Sequence, residues 1–295
     1  MATFESMVDE VRSHLRSYVR DQEASTWLTA GINASDLTLA VNNASVLSRG
    51  RVEIDDELIY VDSVSRTGNT ATVAPWGRGE DGSTAAAHSA NARVTMNPLF
   101  PALDVKQAIN DTIRSVSGDL WSVASTTLTA GTQTLGYGLP AGTATVRSVH
   151  WYPPDLTYSW EPVRRWKFQP NADPTMFPTG KAVDIYSPVV PGADIRVVYT
   201  TDLVALTAGQ DFTASGLAES ARDVVVYGAA FRLASKAEAI SLSTRAVEAN
   251  ALDGRVRGAD AMAYSRYLFQ VHKQRLDEER RRLLDDNPTQ LHYVR

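Results

Sequence analysis

The chain has 295 residues, 43% of them hydrophobic, with a net charge of −5 and no cysteine. Such a chain is long and apolar enough for two or three units with buried cores, and it excludes disulfides, thiolate zinc sites and cysteine nucleophiles. The acidic balance argues against a sequence-specific DNA reader, which carries a basic footprint. It does not argue against a passive conduit, because a basic lumen would grip a duplex that carries about one charge per 1.7 Å of its axis.

The start, Met1 to Glu10, holds three acids and no apolar core, so it does not read as a secretory signal. A first helix is predicted from about Phe4 to Glu23. Thr3 stands as N-cap, and Phe4, Val8, Val11, Leu15 and Val19 form an apolar stripe. Asp9, Arg12, Arg16 and Arg20 take the opposite face. Residues 33–97 read as β: Leu37, Leu39 and Val41 alternate with polar positions, and a hairpin turns at Asp55-Asp56. Thr67-Gly68-Asn69 marks a second turn, Ser83 to Ser89 one short helical turn, and Arg93 to Met96 a last strand. A second helix is predicted from about Val105 to Val123, with Asp104 as N-cap and Gln107 completing a capping box.

Residues 126–210 read as a second β region, with strands at Thr143 to Trp151, Val183 to Ser187 and Asp194 to Tyr199. Helix 3 is placed from about Leu217 to Asn250 and is apolar on every side between Val224 and Ala230, which predicts a buried middle. Helix 4 runs from about Ala259 to Asp286, with Pro288 just beyond it. The longest strongly apolar run, Val224 to Phe231, is far short of the roughly 20 residues that span a bilayer, so no membrane is expected. The fold class expected is α+β: a bundle of about four helices with a long C-terminal helix and two antiparallel β insertions. The bundle helices fall in 1–32, 98–125 and 211–286, the insertions in 33–97 and 126–210, and a docking tail in 287–295.

Each chemical motif has a plainer reading. Gly77-Arg-Gly-Glu-Asp-Gly82 matches G-x-G-x-x-G, but a dinucleotide site needs a full helix and a parallel strand next, and Glu80 and Asp81 would repel phosphate. No histidine pair has helical metal spacing, and His88 reads as a hydrogen-bonding residue that fixes its loop. Asp55, Asp56, Glu57 and Asp62 suggest a metal or acid–base site, but an Asp pair suits a turn. No catalytic, metal or cofactor site is therefore assigned, and no enzyme is expected. Trp151, Tyr152, Tyr158, Trp160 and Trp166 suggest a sugar platform or, more simply, core packing. In helix 4, Asp277-Glu-Glu-Arg-Arg-Arg282 offers i,i+4 pairs between Asp277 and Arg281 and between Glu278 and Arg282.

Two segments carry a resemblance. Ile54-Asp-Asp-Glu-Leu-Ile-Tyr-Val61 with Arg78-Gly-Glu-Asp-Gly-Ser-Thr-Ala-Ala-Ala-His88 to Val94 resembles a β module of tail and neck proteins of tailed bacteriophages. Phe100 to Val116, with its Ala-Ile-Asn core, is similar to a helix of phage head-to-tail adaptor (neck, connector) proteins. The resemblance implies a virion protein in the neck, made in the host cytoplasm. It would form a ring, commonly twelvefold, beneath the portal, join the portal to the next neck or tail protein, and let double-stranded DNA pass. It also implies portal docking by the C-terminal helix and tail, through Arg280, Arg281, Arg282, Leu291, His292, Tyr293, Val294 and Arg295. The alternative within the virion is a tail-tip or receptor-binding protein that uses the aromatic β region. A cell-wall hydrolase is a third class.

Overall fold

The computed structural model describes residues 3–16, 23–132, 135–153, 159–248 and 258–289. They form 13 strands in three sheets and four α-helices. The protein is therefore mostly β, and the expected helical bundle with two β insertions is corrected. The cause is strand length: several strands span only two to four residues, too short for a period-2 pattern to register.

The chain forms two compact units. One comprises Phe4–Asp111 and Val226–Val271. Its sheet contains β1 (Ser25–Trp27), β2 (Thr38–Ala40), β3 (Gly50–Ile54), β4 (Glu57–Ser65), β5 (Thr70–Val73) and β6 (Arg93–Met96). The order is β1-β6-β3-β4-β5-β2, antiparallel throughout. The sheet curls into a half-barrel whose edge strands meet: Leu28 bridges Val41, Thr29 N donates to Ala40 O (2.9 Å) and Asn42 N to Trp27 O (2.9 Å). Alternation explains the curl's interior, since Leu39, Val52, Ile54, Ile59, Val61, Val73 and Val94 all point into one core. Each such side chain contributes about 1.5–3 kcal/mol on burial. A bulge between Val61 and Ser63 sets Asp62 aside and sharpens the bend.

Helix α1 (Phe4–Leu15) buries Phe4, Met7, Val8, Val11 and Leu15, the predicted stripe with Met7 added. The later part of the predicted helix, 17–22, lies outside the described residues. Thr3 sits in a β bridge with Asp211. Helix α2 spans Ala102–Val116 and ends seven residues earlier than predicted. Ser117, Gly118 and Asp119 turn the chain, and β7 (Ser122–Thr129) begins where the helix was expected to continue. Leu120 is buried beyond the helix end, four residues after buried Val116, where a helical repeat would also place an apolar residue.

The other unit comprises Met1–Thr3, Thr112–Val225 and His272–Arg295. Its strands are β7, β8 (Gly136–Gly138), β9 (Thr143–Trp151), β10 (Glu161–Pro162), β11 (Trp166–Gln169), β12 (Ala182–Ile185) and β13 (Asp194–Thr201). They make a four-stranded sheet β10-β9-β13-β7 and a three-stranded sheet β11-β12-β8. Val149, Ile195 and Val197 of the first sheet share one core with Trp166, Val183 and Ile185 of the second. Helix α3 (Arg222–Glu248) has the buried middle that its apolar run predicted, and α4 (Gly258–Asp286) nearly matches its predicted bounds. No helix among the described residues is long and apolar enough to cross a membrane.

Candidate functional site

The acidic and basic residues that invite a chemical reading lie around the β3–β4 hairpin. Ile54 pairs with Glu57, so Asp55 and Asp56 form the two-residue turn, with Asp55 at a left-handed φ of 52°. That conformation suits Asp and Asn better than most residues. Glu57 is the first residue of β4 and points inward, 1% exposed. Its carboxylate accepts from Arg78 Nε (2.7 Å) and Nη2 (2.9 Å), from the Gly79 and Ala86 backbone N–H groups (3.0 Å each), and faces His88 Nε2 at 2.8 Å. His88 Nδ1 lies 2.7 Å from Asp55 Oδ2. Arg78 spends its remaining donors on the Asn33, Asp36 and Ala86 carbonyls.

Burial raises the Glu57 pKa, but the hydrogen bonds from Arg78, Ala86, His88 and Gly79 outweigh it and hold the carboxyl at about 2. A carboxylate this fully engaged has no lone pair to offer a metal or a proton in transit. The cluster is a rivet: it pins the Gly-rich loop, the hairpin and the strand around His88 to one point. The Gly77–Gly82 loop serves the same end. A Cβ on Gly77 would stand 2.6 Å from the Tyr60 carbonyl oxygen, so the loop lies directly on β4. The predicted helical turn at Ser83 to Ser89 is absent. A short 3-10 turn occupies Glu80–Gly82, and His88 pairs with Ile32 in a β bridge.

The other acids separate. Asp56 accepts from Lys106 Nζ of α2 (2.6 Å), and Asp62 meets Arg49 on the surface (3.2 Å). Glu53, on β3, is a second rivet that sequence reasoning missed. It is 5% exposed and accepts from Arg12 Nη2 (2.8 and 2.7 Å) and from the Ala102 backbone N–H. Arg12 also donates to the Phe100 carbonyl. Glu53 thus caps the start of α2, a role predicted for Asp104, which lies inside the first turn instead. Burial pushes the Glu53 carboxyl up, with Arg12 and the Ala102 N–H opposing. A long-range partner leaves no local signature, and Arg12, expected on the face opposite the apolar stripe, is half-buried against Glu53 instead.

The aromatic set does not assemble. Trp166 is buried, Trp151 packs against the same core, and Tyr152 meets Trp160 edge to face at 5.6 Å. Tyr158 lies outside the described residues. Of the other histidines, His14 packs on Tyr227 (4.8 Å), and His272 Nδ1 lies 2.9 Å from the Val224 carbonyl. Among the described residues no group of three or more His, Asp or Glu is placed to hold a metal ion.

The docking residues assigned from the resemblance divide in two. Arg280, Arg281 and Arg282 are exposed on the last turns of α4. Arg280 pairs with Asp119 (3.0 Å), and Arg282 with Glu279 (3.2 Å) and Asp286 (3.9 Å). The predicted Glu278–Arg282 pair is replaced by Glu278–Arg275 at 3.1 Å. Leu291, His292, Tyr293, Val294 and Arg295 lie outside the described residues. Along α4, Tyr267, Phe269 and Leu284 are large apolar side chains left exposed. The molecule is thus a mostly β protein in which Glu57 and Glu53 are tied into structural pins and whose last helix exposes apolar side chains among charges of both signs. No protein-family model matches the chain, and no curated protein matches it.

Proposed function

We propose that the protein is a structural virion component, a head-to-tail adaptor of a tailed bacteriophage. It assembles as a ring beneath the portal, joins it to the next neck or tail protein and leaves a channel for DNA. The observation that carries this reading is the fate of the polar residues. Glu57, His88, Arg78, Glu53 and Arg12 are consumed in internal contacts, while the end of α4 exposes Leu284 beside Arg280 to Arg282. Aromatic and Arg side chains are the ones enriched where proteins meet. A ring of identical subunits joins two different faces of each copy, and the work is mechanical: seat on the portal, seal the joint, pass DNA without gripping it. The receptor-binding alternative is less well supported, because Trp151 and Trp166 are spent on the core.

The test is portal binding by the full chain, by a chain lacking Asn287 to Arg295, and by Arg280→Glu/Arg281→Glu/Arg282→Glu. We expect the deletion and the charge reversal to abolish co-sedimentation with the portal while circular dichroism stays unchanged. Undiminished binding by both would contradict the docking assignment.

A further inference from the structure

The outer face of the four-stranded sheet holds a cleft of about 610 Å³ between strands β7, β13 and β9 and the chain leaving α4 at Asp286 to Thr289. Its charged lining is mainly cationic: Arg147 and Arg196 against the single carboxylate of Asp286, which already faces Arg282 at 3.9 Å. His150, the cross-strand neighbour of Arg196, is held below the usual histidine range by burial and by the Arg196 charge. The Arg147 guanidinium lies 4.3 Å from the Trp121 ring centre and donates from Nη1 to Thr289 Oγ1 at 2.6 Å. Arg147 Nε and Trp121 Nε1 are both buried donors without a hydrogen-bond partner. Buried donors are normally matched, so Arg147, which lines the cleft, is short of an acceptor at Nε, and Trp121 behind it is short of one at Nε1.

A second, independent observation lies on the same strand. β7 is an edge of its sheet, and among the described residues no strand pairs with its outer side. It pairs with β13 one to one, from Ser122 with Thr201 to Thr129 with Asp194, without a bulge. Its sequence, Ser122-Val-Ala-Ser-Thr-Thr-Leu-Thr129, has no charge and no proline. Natural edges are blunted by those very devices, and β7 has none of them. Val123, Ala124 and Ser125 of this strand also line the cleft.

We propose that β7 and the cleft together receive an extended acidic peptide segment of a partner protein, which adds as a strand to the β7 edge and seats a carboxylate against Arg147 and Arg196. Strand addition supplies main-chain hydrogen bonds, and alternate side chains supply specificity. Every second side chain of the added strand faces the cleft. A carboxylate there meets planar guanidinium forks, which it matches in two-point geometry. The chain's own residues 290–295, Gln-Leu-His-Tyr-Val-Arg, carry no acidic side chain, so an acidic segment of another protein matches Arg147 and Arg196 better, and the tail peptide is the competitor in the test. The site is independent of the adaptor reading.

The test titrates the full-length protein with a capped peptide alternating Glu and Val, followed by calorimetry and by Trp121 fluorescence against a Trp121→Phe control. We expect saturable binding, at least tenfold weaker for the Glu→Gln peptide and for Arg196→Gln protein, and none for the same peptide N-methylated along its backbone. Arg196 is exposed, so its variant keeps the fold, which circular dichroism checks. Several results would overturn the proposal: no binding, equal binding of the Gln or N-methylated peptide, or an unaffected Arg196→Gln. So would tighter binding of the peptide Gln-Leu-His-Tyr-Val-Arg, or inorganic phosphate binding as tightly as the acidic peptide.

Discussion

Glu57→Ala removes the acceptor at the centre of the β-module rivet. It leaves the Arg78 guanidinium, the His88 ring and the Gly79 and Ala86 N–H groups facing a void. Breaking a buried ion pair from one side costs about 3–5 kcal/mol. The proton linkage leads to a similar figure: a carboxyl at about 2 in the folded chain against an ordinary 4.5 corresponds to ~3 kcal/mol. Because the folded value is the lower one, this contribution is whole above pH 4.5. It shrinks as the pH falls toward about 2 and is gone below it. Hydrogen exchange at the β4 and β6 amides reads the stability of this unit directly. We expect Glu57→Ala to lower protection there by about 3 kcal/mol at pH 7. We also expect the variant to lose the pH dependence of the parent between 4.5 and 2. A loss below about 1 kcal/mol, or an unchanged acid profile, would refute the rivet.

Other substitutions separate the remaining causes. Arg12→Ala leaves the Glu53 carboxylate buried beside the α2 start and should cost about 3 kcal/mol in urea unfolding. Arg12→Ala with Glu53→Ala should cost less than the sum of the two single changes. Gly77→Ala drives a Cβ to 2.6 Å from the Tyr60 carbonyl and should destabilise by more than about 2 kcal/mol. Gly82→Ala meets open space and pays only for its left-handed φ of 81°, about 1 kcal/mol; thermal melts that rank the two glycines the other way would contradict the packing of the loop on β4. Arg49→Ala, which removes the partner of Asp62 in a pair whose side chains are 69% and 53% exposed, should change stability by under about 1 kcal/mol.

How far the sequence reveals this structure depends on the range over which each signal acts. The limits of α4 are legible because Gly258 and Pro288 punctuate a long polar and apolar pattern. The 52–64 hairpin and the strands from Thr143 to Trp151 and Asp194 to Thr201 are legible because they are long enough to alternate. β1, β8, β10 and β11 are not, and their omission is what made the helices look dominant. The same limit hid the site chemistry. Asp55 was readable as a turn residue because that role is local, whereas His88, read as fixing its own loop, meets Asp55 and Glu57 across 33 and 31 residues. Glu57 looked like a third turn acid, yet its partners stand 21 to 31 residues away. Glu53 and Arg12 are 41 residues apart, and nothing along the chain announces the pair.

The most direct measurement of the adaptor reading is mass analysis and electron imaging of the purified full-length protein mixed with the portal of its own phage. We expect a ring of this protein layered on the portal, with the C-terminal end of α4 at the junction. A stable trimer that forms no complex with the portal would contradict the adaptor and favour a receptor-binding protein.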